Sequence, residues 1–294
     1  MEQASREALA GALAHPRFEL IPLKGVEEQL ASLPPGATVT VTSSPTRGVE
    51  NTLACAERVE SHGFRVVPHI AARLVRDEAH LRSIIRRLAA LRIREIFVVG
   101  GDAREPVGPF SGGLELLRAM AVMGHDLEEI GVPSYPERHP LIDEETLRQA
   151  LLDKQRYATY TVTQICFDPL RIAGWLADLR ERGMVLPAYI GIPGMVDRKK
   201  LLGISMKIGV GESMRFLSKN AGLMAALLTP GAYRPDDLVE TLAPAMANPA
   251  FGIRGLHINT FNQVERTETW RRELLRQLGM EQGRSGKNRA ERAV

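Results

Sequence analysis

Short apolar runs alternate along this chain with longer stretches whose apolar residues recur every three or four positions. The runs span Arg17–Leu23, Thr38–Ser44, Arg65–Ile70, Glu95–Gly101, Glu129–Pro136, Thr159–Cys166, Ala188–Gly194 and Gly255–Phe261. Most are apolar at neighbouring positions or rich in Val, Ile and Thr, the pattern of parallel strands covered by helices. The sixth, TYTVTQIC, alternates more openly. Between the runs the helical period is clearest where Leu81, Ile84, Ile85, Leu88 and Leu91 share one face. Asp168 and Pro169 mark a helix start ahead of Leu170–Leu179, because Asp caps free backbone N–H groups and Pro tolerates the first helical position. Strand starts fall about 20 to 35 residues apart until the gap from Ala188 to Gly255, which predicts two or three helical segments. Repeated strand–helix units without a Gly-x-Gly-x-x-Gly turn after the first strand predict a closed (β/α)₈ TIM barrel, not an open doubly wound sheet. A single catalytic domain over residues 1–279 is expected, followed by a disordered basic tail, 280–294.

Composition narrows the function classes. A chain of 294 residues suits one barrel, which commonly takes about 250. The 44% hydrophobic and 25% charged content is that of a soluble globular protein. No apolar run approaches the roughly 20 residues of a membrane span. The N-terminus MEQASREALAGALAHP reads as a helical lead-in, not a signal peptide, so a cytoplasmic location is expected. The pI near 9.0 suggests nucleic acid only until the charge is located. Arg284, Lys287, Arg289 and Arg292 against Glu281 and Glu291 give the tail +2 of the net +3, which leaves the body nearly neutral. Small-molecule partners, no nucleic acid and no membrane are therefore expected, and a homo-oligomer remains open. Cys55 and Cys166 read as small buried hydrophobes, outside any disulfide or metal framework.

Barrel chemistry sits at the C-terminal strand ends, so polar residues there are the candidates. Glu19 lies between Phe18 and Leu20; a buried carboxylate with a raised pKa is a candidate general acid, and an ion pair with a neighbour such as Lys24 is the alternative. Gly100-Gly101-Asp102 either lets a ligand approach the backbone or is a tight turn with an Asp cap. His69 and His139 either bind phosphate or pack on a ring, and with no Cys or His at ligand spacing they predict no metal site. Gln164 offers donors and an acceptor to a heterocycle, or is a core amide. Thr42 with Ser43 and Ser44, Tyr135 with Glu137, and Asn259 with Asn262 complete the set.

In order, these segments resemble the methylenetetrahydrofolate reductase family. Phe18-Glu19-Leu20-Ile21-Pro22 is similar to the first-strand motif, Thr42 to the second-strand Thr, Pro68-His69 to the third-strand pair, and Gly101-Asp102 to the turn after the fourth. Tyr135-Pro136-Glu137 with His139-Pro140, Lys154 with Thr163-Gln164 and Phe167-Asp168, and Gly255-Leu256-His257 with Thr260-Phe261-Asn262 continue the likeness to about Leu278. A methylenetetrahydrofolate reductase-like oxidoreductase of one-carbon metabolism and methionine biosynthesis is what the resemblance implies. Such an enzyme reduces 5,10-methylenetetrahydrofolate to 5-methyltetrahydrofolate with NADH or NADPH, through FAD.

Three residues would then be catalytic: Glu19 as proton donor, Asp102 and Gln164. The resemblance assigns cofactor contacts to Thr42, His69, Gly101 and Asp102, and further to Ser111, Tyr135, His139 and Lys154. It assigns substrate contacts to Gln164 and Asn262. Departures bear on the flavin. Ser43 stands where the family usually has an aromatic residue, Gly100 where an Arg precedes Gly-Asp, and Gln263 where a basic residue often follows the Asn. The helix before Gln164 lacks part of the phosphate-contacting set, so FAD held weakly or absent is expected. Direct hydride transfer without flavin, as relatives of this barrel perform, and a folate-binding barrel without reductase activity are the alternatives. An aldolase or a phosphate-binding isomerase is disfavoured, because no Lys lies on any predicted strand.

Overall fold

The computed structural model describes residues 1–44, 46–137, 139, 142–197 and 232–279. Helix α1 (Gln3–Ala14) leads into β1 (Arg17–Leu20), followed by α2 (Val26–Leu30), β2 (Thr38–Val41), α3 (Gly48–Ser61), β3 (Arg65–Ala71) and α4 (Glu78–Ala90). Next come β4 (Glu95–Val99), α5 (Gly113–Met123), β5 (Glu129–Ser134), α6 (Glu144–Lys154), β6 (Tyr160–Thr163), α7 (Pro169–Glu181) and β7 (Ala188–Pro193). The described chain ends with β8 (Val196–Asp197), β9 (Ala232–Tyr233), α8 (Asp236–Ala247), β10 (Ile253–Asn259) and α9 (Val264–Gln277). Parallel strands close in the order β1-β10-β7-β6-β5-β4-β3-β2. The fold is the expected (β/α)₈ barrel, with a short antiparallel β8–β9 pair that the pattern did not predict. Among the described residues one helix, α8, lies in the long gap before the last strand; the other helices expected there, and the tail, fall outside them.

Three helix starts follow from their leading residue. The Asp77, Asp143 and Asp168 side chains accept from His80 N, Thr146 N and Leu170 N, satisfying donors that have no intrahelical partner. The predicted face of α4 is confirmed, with Leu81, Ile84 and Leu88 buried. Strand ends are shorter than the apolar runs. β6 stops at Thr163, not Cys166, because the Gln164 side chain accepts from Ile165 N at 2.9 Å and turns the backbone out of the ladder. Cys55 and Cys166 are both buried, as expected.

One apolar core lies between the strands and the helix layer; a second fills the barrel itself, with Val67, Phe97, Tyr160, Val162 and Tyr189. Gly131 makes room for those rings: a Cβ there would stand 2.3 Å from Tyr160 and 2.6 Å from Phe97. Below them Arg17 lies over the Tyr160 and Tyr189 rings, 4.4 and 4.1 Å from their centroids, and pairs with Glu95. Its remaining donors reach the Tyr160 hydroxyl at 3.0 Å and Glu129 at 3.4 Å, so the floor of the barrel is closed and paired.

Candidate active site

Alternation along β1 puts Glu19 on the same inward face as Arg17, one step closer to the barrel mouth. Strand register sets its neighbours: Glu19 is level with Asn259 of β10 and Thr40 of β2. The last strand then locks the first. Thr260 Oγ1 donates to the Glu19 carbonyl at 2.6 Å, and the Asn262 carboxamide bonds both Ile21 N (2.8 Å) and Ile21 O (2.9 Å). Asn262 adopts φ +58° to do so, a conformation that Asn tolerates better than most residues.

The Glu19 side chain is 18% exposed, and its Oε2 lies 3.0 Å from His257 Nε2 and 3.9 Å from His69 Nε2. Neither Lys24 nor any other lysine is its partner among the described residues. Burial pushes the carboxyl up, but the hydrogen bond from His257 and the nearby imidazoles outweigh it, so the group is held below the usual carboxylate range. The raised pKa that marks an isolated buried acid is thus not found. Burial pushes His69 down to about 4, the effect of Glu19 only partly opposing it, so its imidazole is neutral at pH 7. His69 packs on Phe97 at 4.8 Å between ring centroids. Its Nε2, and Nδ1 of His257, are buried without a hydrogen-bond partner.

A second group gathers at the ends of β4 and β5. Gly101 has φ +96°, which glycine adopts freely, and places Asp102 on the exposed side of the turn. Burial pushes the Tyr135 phenol up to about 12, with the nearby Asp102 charge adding to it; burial also lowers His139, against Asp102. The Tyr135 and His139 rings meet edge to face at 5.4 Å. Gln164 follows β6 with its N–H on Ser134 O at 2.7 Å, so it adjoins this group through the residue before Tyr135. The remaining expected contacts lie elsewhere. Thr42 is a loop residue whose N–H bonds Leu20 O at 2.9 Å. Ser111 presents its carbonyl to Arg73, and Lys154 packs near Gly113 at the start of α5, its amine lowered by burial.

Two residues carry structural roles that sequence reasoning did not assign, although one of them, His257, stood in the quoted Gly255-Leu256-His257 motif. His257, the direct partner of Glu19, stands between Leu256 and Ile258 on an apolar strand, and its inward register was the available signal. Arg73 bonds three carbonyls of the loop after β4, those of Ala103 (2.7 Å), Arg104 (2.7 Å) and Ser111 (2.9 Å). No local sequence pattern marks that role. No metal site was expected from residue spacing; Glu19, His69 and His257 place ligand atoms within 4.8 Å of one another. His257 comes from the last strand, about 190 residues beyond His69, where spacing rules do not reach.

Comparison with known proteins adds two findings. A family model described as methylenetetrahydrofolate reductase matches residues 25–215, about two thirds of the chain. That span includes His69, Asp102, Tyr135 and Gln164 but not Glu19 or His257. A crystal structure of a protein from Burkholderia cenocepacia J2315, described as a lyase/mutase, matches with 11% identity and a TM-score of 0.47, over 93% of this chain and 86% of that one. A likeness that distant carries no argument about activity.

Proposed function

The chain belongs to the methylenetetrahydrofolate reductase family, and from that premise we propose that it reduces 5,10-methylenetetrahydrofolate to 5-methyltetrahydrofolate with hydride from NADH or NADPH. The observation that carries the reading is Glu19: an inward carboxylate at the mouth of a barrel whose floor is closed, hydrogen-bonded to His257 at 3.0 Å. Opening the imidazolidine ring of the substrate needs a proton on the departing nitrogen, and hydride then adds to the iminium carbon. Glu19 delivers that proton. The hydrogen bond from His257 favours its ionised form, so the proton has to move onto it for that step. A folate ring stacked over the mouth covers the part of Glu19 still exposed to water and strengthens the influence of burial, which already favours the neutral acid. His257 orients the carboxylate, and Gln164 offers its amide to the substrate edge stacked above.

FAD, which the family implies, is tested by the residues present. His69 faces Glu19 inside the barrel, and the Arg73 guanidinium is held by three backbone carbonyls, leaving it unable to meet a pyrophosphate. Burial lowers both His139 and Lys154, which weighs against a positive charge at either. Among the described residues these side chains do not assemble a dinucleotide phosphate site. The reading therefore favours direct transfer from nicotinamide. The test is turnover of methylenetetrahydrofolate by the purified protein with NADH or NADPH and no added flavin, followed by loss of the reduced-nicotinamide absorbance and by chromatography of the folate. Formation of 5-methyltetrahydrofolate is expected. Product that appears only after FAD is supplied would overturn the direct route, and no product under either condition would overturn the reductase reading.

A further inference from the structure

We propose that Glu19, His69 and His257 form a binding site for one divalent transition ion, with Zn²⁺ the ion that the donor set fits best. The three side chains come from β1, β3 and β10 and converge inside the barrel. Two ligand separations are known, 3.0 Å from Glu19 Oε2 to His257 Nε2 and 3.9 Å from the same oxygen to His69 Nε2. Zinc bonds of about 2.0–2.1 Å at a tetrahedral angle place ligand atoms roughly 3.3 Å apart, between those two values. The approach of His69 to Glu19 is too long for a hydrogen bond and suits a shared ion. His69 Nε2 is buried without a hydrogen-bond partner, a polar atom that an ion would satisfy.

Packing around the three side chains also suits a metal. Phe97 packs on His69, with ring centroids 4.8 Å apart, and stands 6.4 Å from His257, which limits rotation of both imidazoles. One carboxylate and two neutral imidazoles leave the ion with a net charge of +1 and at least one coordination position open toward the mouth. Two nitrogens and one oxygen favour a borderline ion over Mg²⁺ or Ca²⁺, which take oxygen ligands.

Zinc bound here takes the place of the proton between His257 and Glu19, and it occupies the carboxylate assigned above to proton delivery. On the reductase reading, zinc therefore inhibits turnover. Binding itself does not depend on that reading.

Calorimetric titration of ZnCl₂ into chelator-treated protein is expected to show one site per chain. His69→Ala and His257→Ala should each weaken it by roughly 100-fold or more, while His62→Ala, which changes an exposed histidine, leaves it intact. Circular dichroism checks that each variant is folded. Co²⁺ added to the wild type gives a readout that needs no variant: visible absorption of a four- or five-coordinate ion is expected, distinct from that of the hydrated ion. Absence of a one-to-one site, or affinity unchanged in folded His69→Ala and His257→Ala, would overturn the proposal, as would a hydrated-ion spectrum with cobalt. Stoichiometric zinc with unchanged turnover would leave the metal site standing and overturn the role of Glu19 as proton donor.

Discussion

Two polar layers lie inside the barrel, one at Arg17 on the floor and one at Glu19 a single inward position above it. Both are buried and both are built from residues far apart in sequence, yet they are finished differently. On the floor the Arg17 guanidinium is stacked between two tyrosines and paired with Glu95, and Arg254 meets Glu129 at 2.7 Å. At the mouth His69 Nε2 and His257 Nδ1 have no hydrogen-bond partner, and Glu19 keeps 18% of its side-chain surface open. A buried charge that is fully paired closes a barrel. Buried polar atoms left unmatched cost stability, and such a cost is characteristic of a site kept ready for a ligand.

The sharpest way to break this contrast is at the floor. Arg17→Met strands Glu95 in the barrel and should cost about 3–5 kcal/mol in urea unfolding, with Michaelis constants of the folded fraction unchanged. A loss below about 1 kcal/mol would show that the layer is not an ionic lock. At the mouth the effects reverse: Glu19→Gln should lower turnover about 10²-fold, equivalent to about 3 kcal/mol in the barrier, with the melting temperature near that of the wild type. Near-normal turnover removes Glu19 from the mechanism.

The unmatched His69 gives the mouth a pH signature. Its folded pKa, about 4, lies below the ordinary imidazole value of 6.5, so between those values the unfolded chain binds more protons and stability falls as the pH drops. About 2 kcal/mol of the wild-type loss between pH 7 and pH 4.5 should disappear in His69→Gln, measured by unfolding midpoints with chelator present. Parallel pH curves for the two proteins would mean that His69 is not held neutral by burial. The smallest effect is expected at Gln164→Leu, which should weaken the apparent binding of each substrate by about 1–2 kcal/mol while stability barely moves. A sharp fall in melting temperature with unchanged Michaelis constants would make Gln164 a core amide.

Much of the barrel was legible because its signal is local. Consecutive apolar residues located all eight barrel strands, and Asp168-Pro169 located the start of α7, since both depend only on near neighbours. Glu19 was legible for the same reason, as a carboxylate on an apolar strand. What surrounds it was not. His257 reaches Glu19 only through closure of the first strand on the last, and Arg73 acts through carbonyls about 30 to 40 residues away. Asn262 shows the converse: its motif was visible, but its carboxamide is held by the Ile21 backbone, a pairing set by the fold.

Isotope transfer shows whether this mouth passes hydride from nicotinamide to folate, as proposed. The protein would be given NADH or NADPH deuterated at C4 on the transferred face, with 5,10-methylenetetrahydrofolate and no flavin, and the folate product analysed by mass spectrometry. The expected product is 5-methyltetrahydrofolate carrying one deuterium in its methyl group. Product without the label, or no product from folded protein, would contradict it.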